Sequence, residues 1–188
     1  MSDPITALSG IRSDGRVTVA EMPRRGMITL RGALDALAPV ASDLVRADMP
    51  DRGRCTGAGE RLLAWMSPDE LMLMLPADEV AEALDRIAAD LAGVHHMAAE
   101  VTDARALFRL EGGDAALRET LGKVMPVDFS ESAFAAGMFR RSRMAQIPAA
   151  VWRQDDGSFA VMCFRSVAAY AFEVLRLSAD RDGAVGHY

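Results

Sequence analysis

Residues 62–75 read LLAWMSPDELMLML, two apolar runs separated by a short polar segment. The runs at 62–66 and 70–75 have the length of strands, and the Ser-Pro-Asp between them has the residues that turns favour. Pro76 follows the second run and ends it, because proline cannot donate the next hydrogen bond of a ladder. This stretch predicts two neighbouring strands and therefore an antiparallel or mixed sheet.

The residues around this strand pair extend it into a unit with two helices. Alternating apolar and polar residues predict strands at 16–20 and 27–31. A helix is predicted from there to about residue 45, with its regular part beginning near Pro39. The clearest helical period lies at 78–91, where one face is apolar: Val80, Ala83, Leu84, Ile87, Ala88 and Leu91.

The second part of the chain repeats this order of elements. A strand is predicted at 106–111, followed by a helix that Asp114 can cap. A long strand at 138–147 then precedes a hairpin at 151–164, whose Asp-Gly step suits a tight turn. Ser166 is predicted to cap the final helix.

Two related halves, about 16–93 and 94–178, thus share the order strand, helix, strand, strand, helix. Trp65 and Trp152 fall at matching places in that order. Helices packed on antiparallel or mixed sheets predict an α+β fold. Each half alone would leave one face of its sheet bare, so the halves are expected to share a core and form one domain over 16–178.

Composition limits the classes of function. The chain has 188 residues and a formal net charge of −6, which argues against a nucleic-acid binder because phosphate contacts need a basic surface. Cys55 and Cys163 lie far apart and are expected to be separate thiols, although one disulfide is conceivable. No secretory signal or membrane span is evident, which predicts a cytoplasmic protein. The segments 1–15 and 179–188 are predicted to be mobile tails.

The sequence contains no recognisable catalytic, cofactor or metal motif. His95 and His96 are adjacent, so on a strand they would point to opposite faces and could not bind one metal together. The run Gly57-Ala58-Gly59 lacks the strand and helix of a phosphate loop and indicates only a flexible connection. Asp103 and Asp128 are isolated in sequence, where aspartate commonly caps a turn. We therefore predict no catalytic, cofactor-binding or metal residue in this chain.

Arg140, Arg141 and Arg143 form the one local basic cluster. On a strand Arg141 and Arg143 would share a face, and their planar guanidinium groups could clamp carboxylates of a partner. The alternative is a solvated strand face whose arginines pair with this chain's own acids. These three arginines are the candidate partner interface.

Three segments, in order, resemble a known family. They are AWMSPDELML at 64–73, FRLEG at 108–112 with PVDF at 126–129, and RSRMAQIPAAVWR at 141–153. Together they resemble the gamma subunit of heterotetrameric sarcosine oxidase, and the likeness extends over about residues 25–177. The resemblance implies a fold similar to the folate-binding domain of the glycine cleavage T-protein, which is built of two related halves.

The resemblance also implies a function. The complete enzyme oxidatively demethylates sarcosine to glycine, with hydrogen peroxide and formaldehyde or methylene-tetrahydrofolate as products. FAD, FMN, NAD, tetrahydrofolate and zinc are expected on other subunits, whereas the gamma subunit holds none and packs against the alpha subunit. One departure is Met125, which stands where a cysteine is common in the family. The rival hypotheses are an independent folate-binding one-carbon protein or enzyme, and a scaffold domain with an unrelated partner.

Overall fold

The computed structural model describes residues 5–188 and contains strands, four α-helices and short 3₁₀ turns in that part of the chain. The strands are β1 Arg12–Asp14, β2 Thr18–Glu21, β3 Gly26–Gly32, β4 Cys55–Thr56, β5 Leu62–Ser67, β6 Glu70–Leu75, β7 His96–Glu100, β8 Arg105–Glu111, β9 Phe139–Met144, β10 Ile147–Arg153 and β11 Phe159–Phe164. The helices are α1 Leu34–Val45, α2 Val80–Asp90, α3 Asp114–Gly122 and α4 Ala168–Ser178. The 3₁₀ turns are Ala77–Glu79, Thr102–Ala104, Arg165–Val167 and Arg181–Gly183.

The chain divides into two compact units. The continuous unit is Arg24–Thr102, and the discontinuous unit combines residues 5–23 of the described chain with Asp103–Tyr188. Each contains one antiparallel sheet, with the order β4-β5-β6-β3-β7 in the continuous unit and β1-β2-β8-β11-β10-β9 in the discontinuous one. The predicted α+β fold is confirmed.

In the continuous unit, residues 62–75 form the predicted strand pair. Leu63 lies opposite Leu73 across β5 and β6, and a bulge between Trp65 and Ser67 precedes the turn. Both helices bury an apolar face, with Leu37 and Ile87 fully covered in one core cluster with strand residues. Helix α1 is already regular from Leu34, five residues before Pro39, where its regular part was predicted to begin. Pro39 is the sixth residue of this helix, past the first turn, so the backbone oxygen of Asp35 lacks the N–H donor that another residue would supply.

The discontinuous unit has its own aromatic core. The Phe129 ring centroid lies 5.0 Å from that of Phe134, and the Phe159 ring lies 6.0 and 5.7 Å from these two. All three side chains are fully buried in the cluster that also contains the inner faces of α3 and α4. Each unit thus buries a cluster of its own, and the expectation that one core is shared stays a prediction.

Three local predictions in this unit were wrong. The long strand at 138–147 is two strands, because the chain reverses at Ala145, which has a φ of 48°, so that Met144 lies opposite Ile147. This turn carries neither glycine nor proline, so its sequence gives no turn signal. The Asp114 side chain does not cap α3, and α4 begins at Ala168 with no side-chain cap from Ser166.

The internal repeat is visible in the order of strands. Five strands of each sheet can be aligned, with β7-β3-β6-β5-β4 matching β2-β8-β11-β10-β9. Helices α1 and α2 follow the matched strands β3 and β6, as α3 and α4 follow β8 and β11. The discontinuous unit has one strand more, β1. Strand β2, which we grouped with the first half, pairs instead with β8. Alternation predicts a strand but carries no information about its partner.

The matching of the tryptophans was wrong by one residue. In the continuous unit, Leu30 on β3 pairs with Leu71 on β6, which pairs with Trp65 on β5. In the discontinuous unit, the equivalent Leu110 on β8 pairs with Phe159 on β11, which pairs with Arg153 on β10. The counterpart of Trp65 is therefore Arg153, one residue after Trp152. A shift of one residue along a strand changes the face of the sheet. Accordingly, Trp65 is half-buried beneath Arg52, and Trp152 is fully buried against Phe139.

Two glutamates contact the segments that are predicted to be mobile tails, 1–15 and 179–188, of which residues 1–4 lie outside the described part of the chain. The buried carboxylate of Glu21 accepts hydrogen bonds from residues 6–10. The buried carboxylate of Glu119 accepts from the guanidinium of Arg16 and from the backbone N–H groups of Val185 and Gly186. The sequence of each segment cannot reveal these contacts, because the carboxylate that accepts them lies outside the segment. The mobility of the two segments stays a prediction.

We expect the C-terminal segment to detach in acid. The hydrogen bond from Arg16, followed by that from the Val185 backbone, lowers the pKa of Glu119 to about 2. Because this pKa lies below the unfolded value, the stabilisation is present above about pH 4.5 and is lost as the pH falls toward 2. The amide resonances of Val185 and Gly186 should therefore shift toward random-coil positions across that range.

In the Glu119→Gln variant, the amide resonances of Val185 and Gly186 should lie near their random-coil positions already at neutral pH. The control is Glu173→Gln, since Glu173 is exposed and bonds only to Arg176 on the same helix. Unshifted Val185 and Gly186 resonances in Glu119→Gln would contradict this interpretation of the buried carboxylate.

Candidate partner interface

Two of the three predicted arginines share an exposed face. Strand β9 is an edge strand of its sheet in the described chain, and its residues Arg141 and Arg143 are both exposed. Arg141 lies opposite Ala150 and Arg143 opposite Pro148, so small or rigid side chains flank them on β10. The Nη2 of Arg143 donates to the backbone oxygen of Gln146 at 3.3 Å.

Arg140 does not join this pair. Because side chains alternate along a strand, Arg140 lies on the face of β9 opposite to that of Arg141 and Arg143, where it is half-buried. Its Nη1 donates to the backbone oxygen of Phe139 at 2.9 Å, and its guanidinium carbon lies 6.0 Å from the Phe134 ring centroid. The structure therefore places Arg140 against the aromatic core and leaves Arg141 and Arg143 as the basic surface pair.

The apolar side chains of this region do not lie beside the arginines on the surface. Phe139, Met144 and Ile147 are buried, and Met138 is partly buried against the core cluster. The alternation of these apolar residues with the arginines in the sequence predicts a mixed apolar and basic surface, and the burial of the apolar side chains contradicts that prediction. The exposed side chains of β9 itself are those of Arg141 and Arg143.

The other residues considered for chemistry are not gathered into a centre. Both cysteines are buried, and burial raises the pKa of Cys163 to about 12, which keeps its thiol protonated at neutral pH. Hydrogen bonds from the backbone and side chain of Ser130 lower the pKa of Asp128, consistent with the predicted turn cap. Among residues 5–188, no group of three His, Cys, Asp or Glu side chains could hold a metal ion.

Sequence reasoning missed a network of charged residues in the discontinuous unit. Arg109 pairs with Glu111 at 2.8 Å and with Asp156 at 2.5 Å, while Arg153 pairs with Asp114 at 2.7 Å. These residues line a cavity of about 390 Å³. Since every arginine in the lining has a carboxylate partner, we interpret the cavity walls as structural. The residues are spread over 48 positions of sequence, so no local motif could have revealed them.

Within residues 5–188, no helix combines the length and apolar character needed to cross a membrane. This finding concerns the helices alone.

Comparison with known proteins gives one family match. The family described as "Sarcosine oxidase, gamma subunit family" matches residues 32–180. A search of curated proteins finds no match.

The solved structures that are similar to this chain include a sarcosine oxidase and a glycine cleavage protein. A chain of the heterotetrameric sarcosine oxidase from Corynebacterium sp. U-96, solved in complex with pyrrole 2-carboxylate, has a TM-score of 0.79 and 21% identity, covering 94% of this chain and 90% of its own. The glycine cleavage system aminomethyltransferase T from Bartonella henselae has a TM-score of 0.57 and 14% identity. That match covers 82% of this chain but only 44% of the transferase. At these identities the two likenesses establish a shared fold.

Proposed function

Because this chain belongs to the sarcosine oxidase gamma subunit family, we propose that it supports assembly of a heterotetrameric complex and contributes no catalytic group. The complex oxidatively demethylates sarcosine to glycine, with hydrogen peroxide and formaldehyde or methylene-tetrahydrofolate as products. The observation that carries this proposal is the family match over residues 32–180. The TM-score of 0.79 to a chain of a heterotetrameric sarcosine oxidase supports it.

The chemistry of the described residues supports a structural role. An oxidative demethylation needs an electron acceptor and a group that handles the proton of the amine, and Cys163 and the cavity arginines suit neither task because they are buried or paired. Cys163 stays protonated at neutral pH, and the arginines of the cavity are neutralised by carboxylates. On the strength of the family resemblance, we propose that the other subunits hold FAD, FMN, NAD, tetrahydrofolate and zinc, and that the complex is cytoplasmic.

The proposed contact with the alpha subunit uses Arg141 and Arg143. Their exposed guanidinium groups lie on one face of β9, two residues apart, and arginine binds carboxylates bidentately while its stem packs on apolar atoms. The partner surface is expected to be acidic at the matching positions. Charge pairs at the rim of an interface act mainly on the association rate, whereas desolvated pairs act on its lifetime.

The double replacement Arg141→Ala and Arg143→Ala should weaken assembly and leave the isolated fold intact. We expect the dissociation constant for the alpha subunit to rise about tenfold or more, because each truncated arginine leaves a partner carboxylate without its counter-charge. Titration of purified alpha subunit with the labelled chain measures this constant, and sarcosine turnover of the reconstituted complex should fall at limiting subunit concentration.

The matched control removes arginines that are exposed elsewhere. Arg12 lies on β1, the opposite edge strand of the same sheet, and Arg86 lies on α2. Assembly of Arg12→Ala with Arg86→Ala should match that of the unchanged chain. Equal affinities of both double variants for the alpha subunit would contradict the proposed contact and favour the alternative, in which Arg141 and Arg143 lie on a solvated strand face.

A further inference from the structure

Strand β7 forms an open edge of the sheet in the continuous unit. It pairs with β3 on one side, and the Val101 N–H continues that ladder by donating to the Met27 backbone oxygen at 2.8 Å. Because backbone groups alternate along an antiparallel strand, those of Ala98 and Glu100 point away from β3. They have no backbone partner among residues 5–188. β7 carries neither lysine nor proline, the residues that commonly protect such edges.

The other unit shows what covers the equivalent edge. Strand β2 occupies the place of β7 in the repeat, and the Met22 N–H donates to Leu107 as Val101 does to Met27. There the outer edge is covered by β1, which pairs antiparallel with β2. The Glu21 N–H donates to the Ile11 backbone oxygen at 2.8 Å.

The register also brings two glutamates to the same place. Glu21 pairs with Phe108, and Glu100 pairs with Ile28, which is the counterpart of Phe108 when the β8–β11 and β3–β6 ladders are aligned. Glu21 and Glu100 therefore occupy equivalent positions at the end of equivalent strands. Their surroundings differ in what lies across the outer edge of each strand.

The segment before β1 binds the carboxylate of Glu21. Its oxygens accept hydrogen bonds from the Thr6 hydroxyl at 2.8 Å, from the Leu8 N–H at 3.0 Å and from the Gly10 N–H at 2.8 Å. A buried carboxylate without these donors would be strongly destabilising. The Glu100 carboxylate is exposed and has no hydrogen-bond partner among the residues the structure describes. An open backbone edge and an unmatched carboxylate thus coincide at β7.

We propose that β7 accepts an added antiparallel strand from another subunit of the complex. The strand is preceded by a turn whose N–H groups and hydroxyl bind Glu100, as residues 6–10 bind Glu21. This inference rests on the proposed function, since it supplies the contact that a gamma subunit would make. The exposed side chains of Val94 and Met97, at 37% and 46% of their accessible area, provide apolar surface beside the incoming strand.

A second copy of this chain fits the site less well than a partner subunit. Pairing two β7 edges would bring the residues before β7 of one copy toward Glu100 of the other. Those residues form the turn that ends α2, and the Val94 N–H already donates to the Leu91 oxygen at 2.9 Å. An extended partner segment can pair with the outward backbone groups of β7. A preceding turn whose N–H groups are not already hydrogen-bonded can donate to the Glu100 carboxylate.

Hydrogen exchange tests the proposal directly in the complex co-expressed with its other subunits. On assembly, the Ala98 and Glu100 amides should exchange at least about tenfold more slowly than in the isolated chain, because hydrogen-bonded amides are protected. The Met97 and Ala99 amides already bond to β3 and should change little. This alternation distinguishes an added strand from general burial, which would slow all four.

Two variants complete the test. Ala98→Pro removes one outward N–H, and Glu100→Ala removes the carboxylate; each should keep the melting temperature of the isolated chain and weaken assembly at least about tenfold. Asp85→Ala, which removes an exposed carboxylate of α2, should assemble normally. Glu21→Ala should instead lower the melting temperature of the isolated chain, since its partners are internal.

The outcomes separate this inference from the proposed function. Assembly of both variants at the unchanged affinity, or unchanged exchange at Ala98 and Glu100, would overturn the added strand while leaving the subunit role standing. Self-association of the isolated chain that Ala98→Pro abolishes would make a second copy the occupant and overturn the partner subunit. Failure of the unchanged chain to join the other subunits would overturn the proposed function and this inference with it.

Discussion

Replacing Arg118 with methionine should lower the free energy of unfolding by about 3 kcal/mol, because two buried carbonyl groups lose their donor at about 1–3 kcal/mol each. Arg118 is 2% exposed. Its Nη1 donates to the backbone oxygens of Phe129 and Phe134, the latter at 3.3 Å, and its Nε donates to Asp114 at 2.7 Å. One side chain thus ties α3 to the connection between α3 and β9.

Denaturant unfolding measures this change, and hydrogen exchange should show faster opening of residues 127–138. Arg176→Met is the control, because Arg176 is partly exposed on α4 and its ion pair with Glu173 is worth roughly 0–1 kcal/mol. A loss below about 1 kcal/mol in Arg118→Met would show that water replaces the guanidinium at the two carbonyls.

Replacing Phe159 with alanine should cost about 3–5 kcal/mol, the range for emptying a fully buried aromatic site. Phe159 is fully buried and contacts the rings of Phe129 and Phe134, so its removal opens a cavity that these neighbours only partly fill. It also lies opposite Leu110 in the centre of the sheet. Unfolding monitored by circular dichroism at several denaturant concentrations measures the loss.

Phe164→Ala on the same strand is the matched control. Its ring is 44% exposed and contacts the guanidinium of Arg105 at 4.0 Å, so we expect a loss of about 1 kcal/mol. Equal losses in the two variants would show that the aromatic cluster of Phe129, Phe134 and Phe159 does not form the centre of this core.

The local order of elements was predictable from the sequence where the connecting turn contains residues that are typical of turns. The Ser-Pro-Asp segment and the flanking apolar runs predicted β5 and β6, and the Asp-Gly step predicted the turn between β10 and β11. The turn at Ala145 escaped because alanine carries no turn signal, although its φ is 48°. The partner of β2 escaped because pairing across about 90 residues leaves no trace in local periodicity.

The candidate interface was likewise predicted in part. Alternation on a strand correctly put Arg141 and Arg143 on one face, since side chains alternate with a period of two. It could not show that Phe139 and Met144 are buried, because burial depends on what packs over each face. The burial of Arg118 and Glu119 was missed for the same reason, because arginine and glutamate usually lie at the surface.

Co-expression of this chain with the alpha, beta and delta subunits tests the subunit role most directly. Native mass spectrometry should show a complex containing one copy of each of the four chains, and this complex should oxidise sarcosine with formation of hydrogen peroxide. Omitting this chain should reduce the yield of the assembled complex and its sarcosine turnover together. A three-chain complex that assembles fully and turns over sarcosine at the same rate, while this chain elutes alone, would contradict the account.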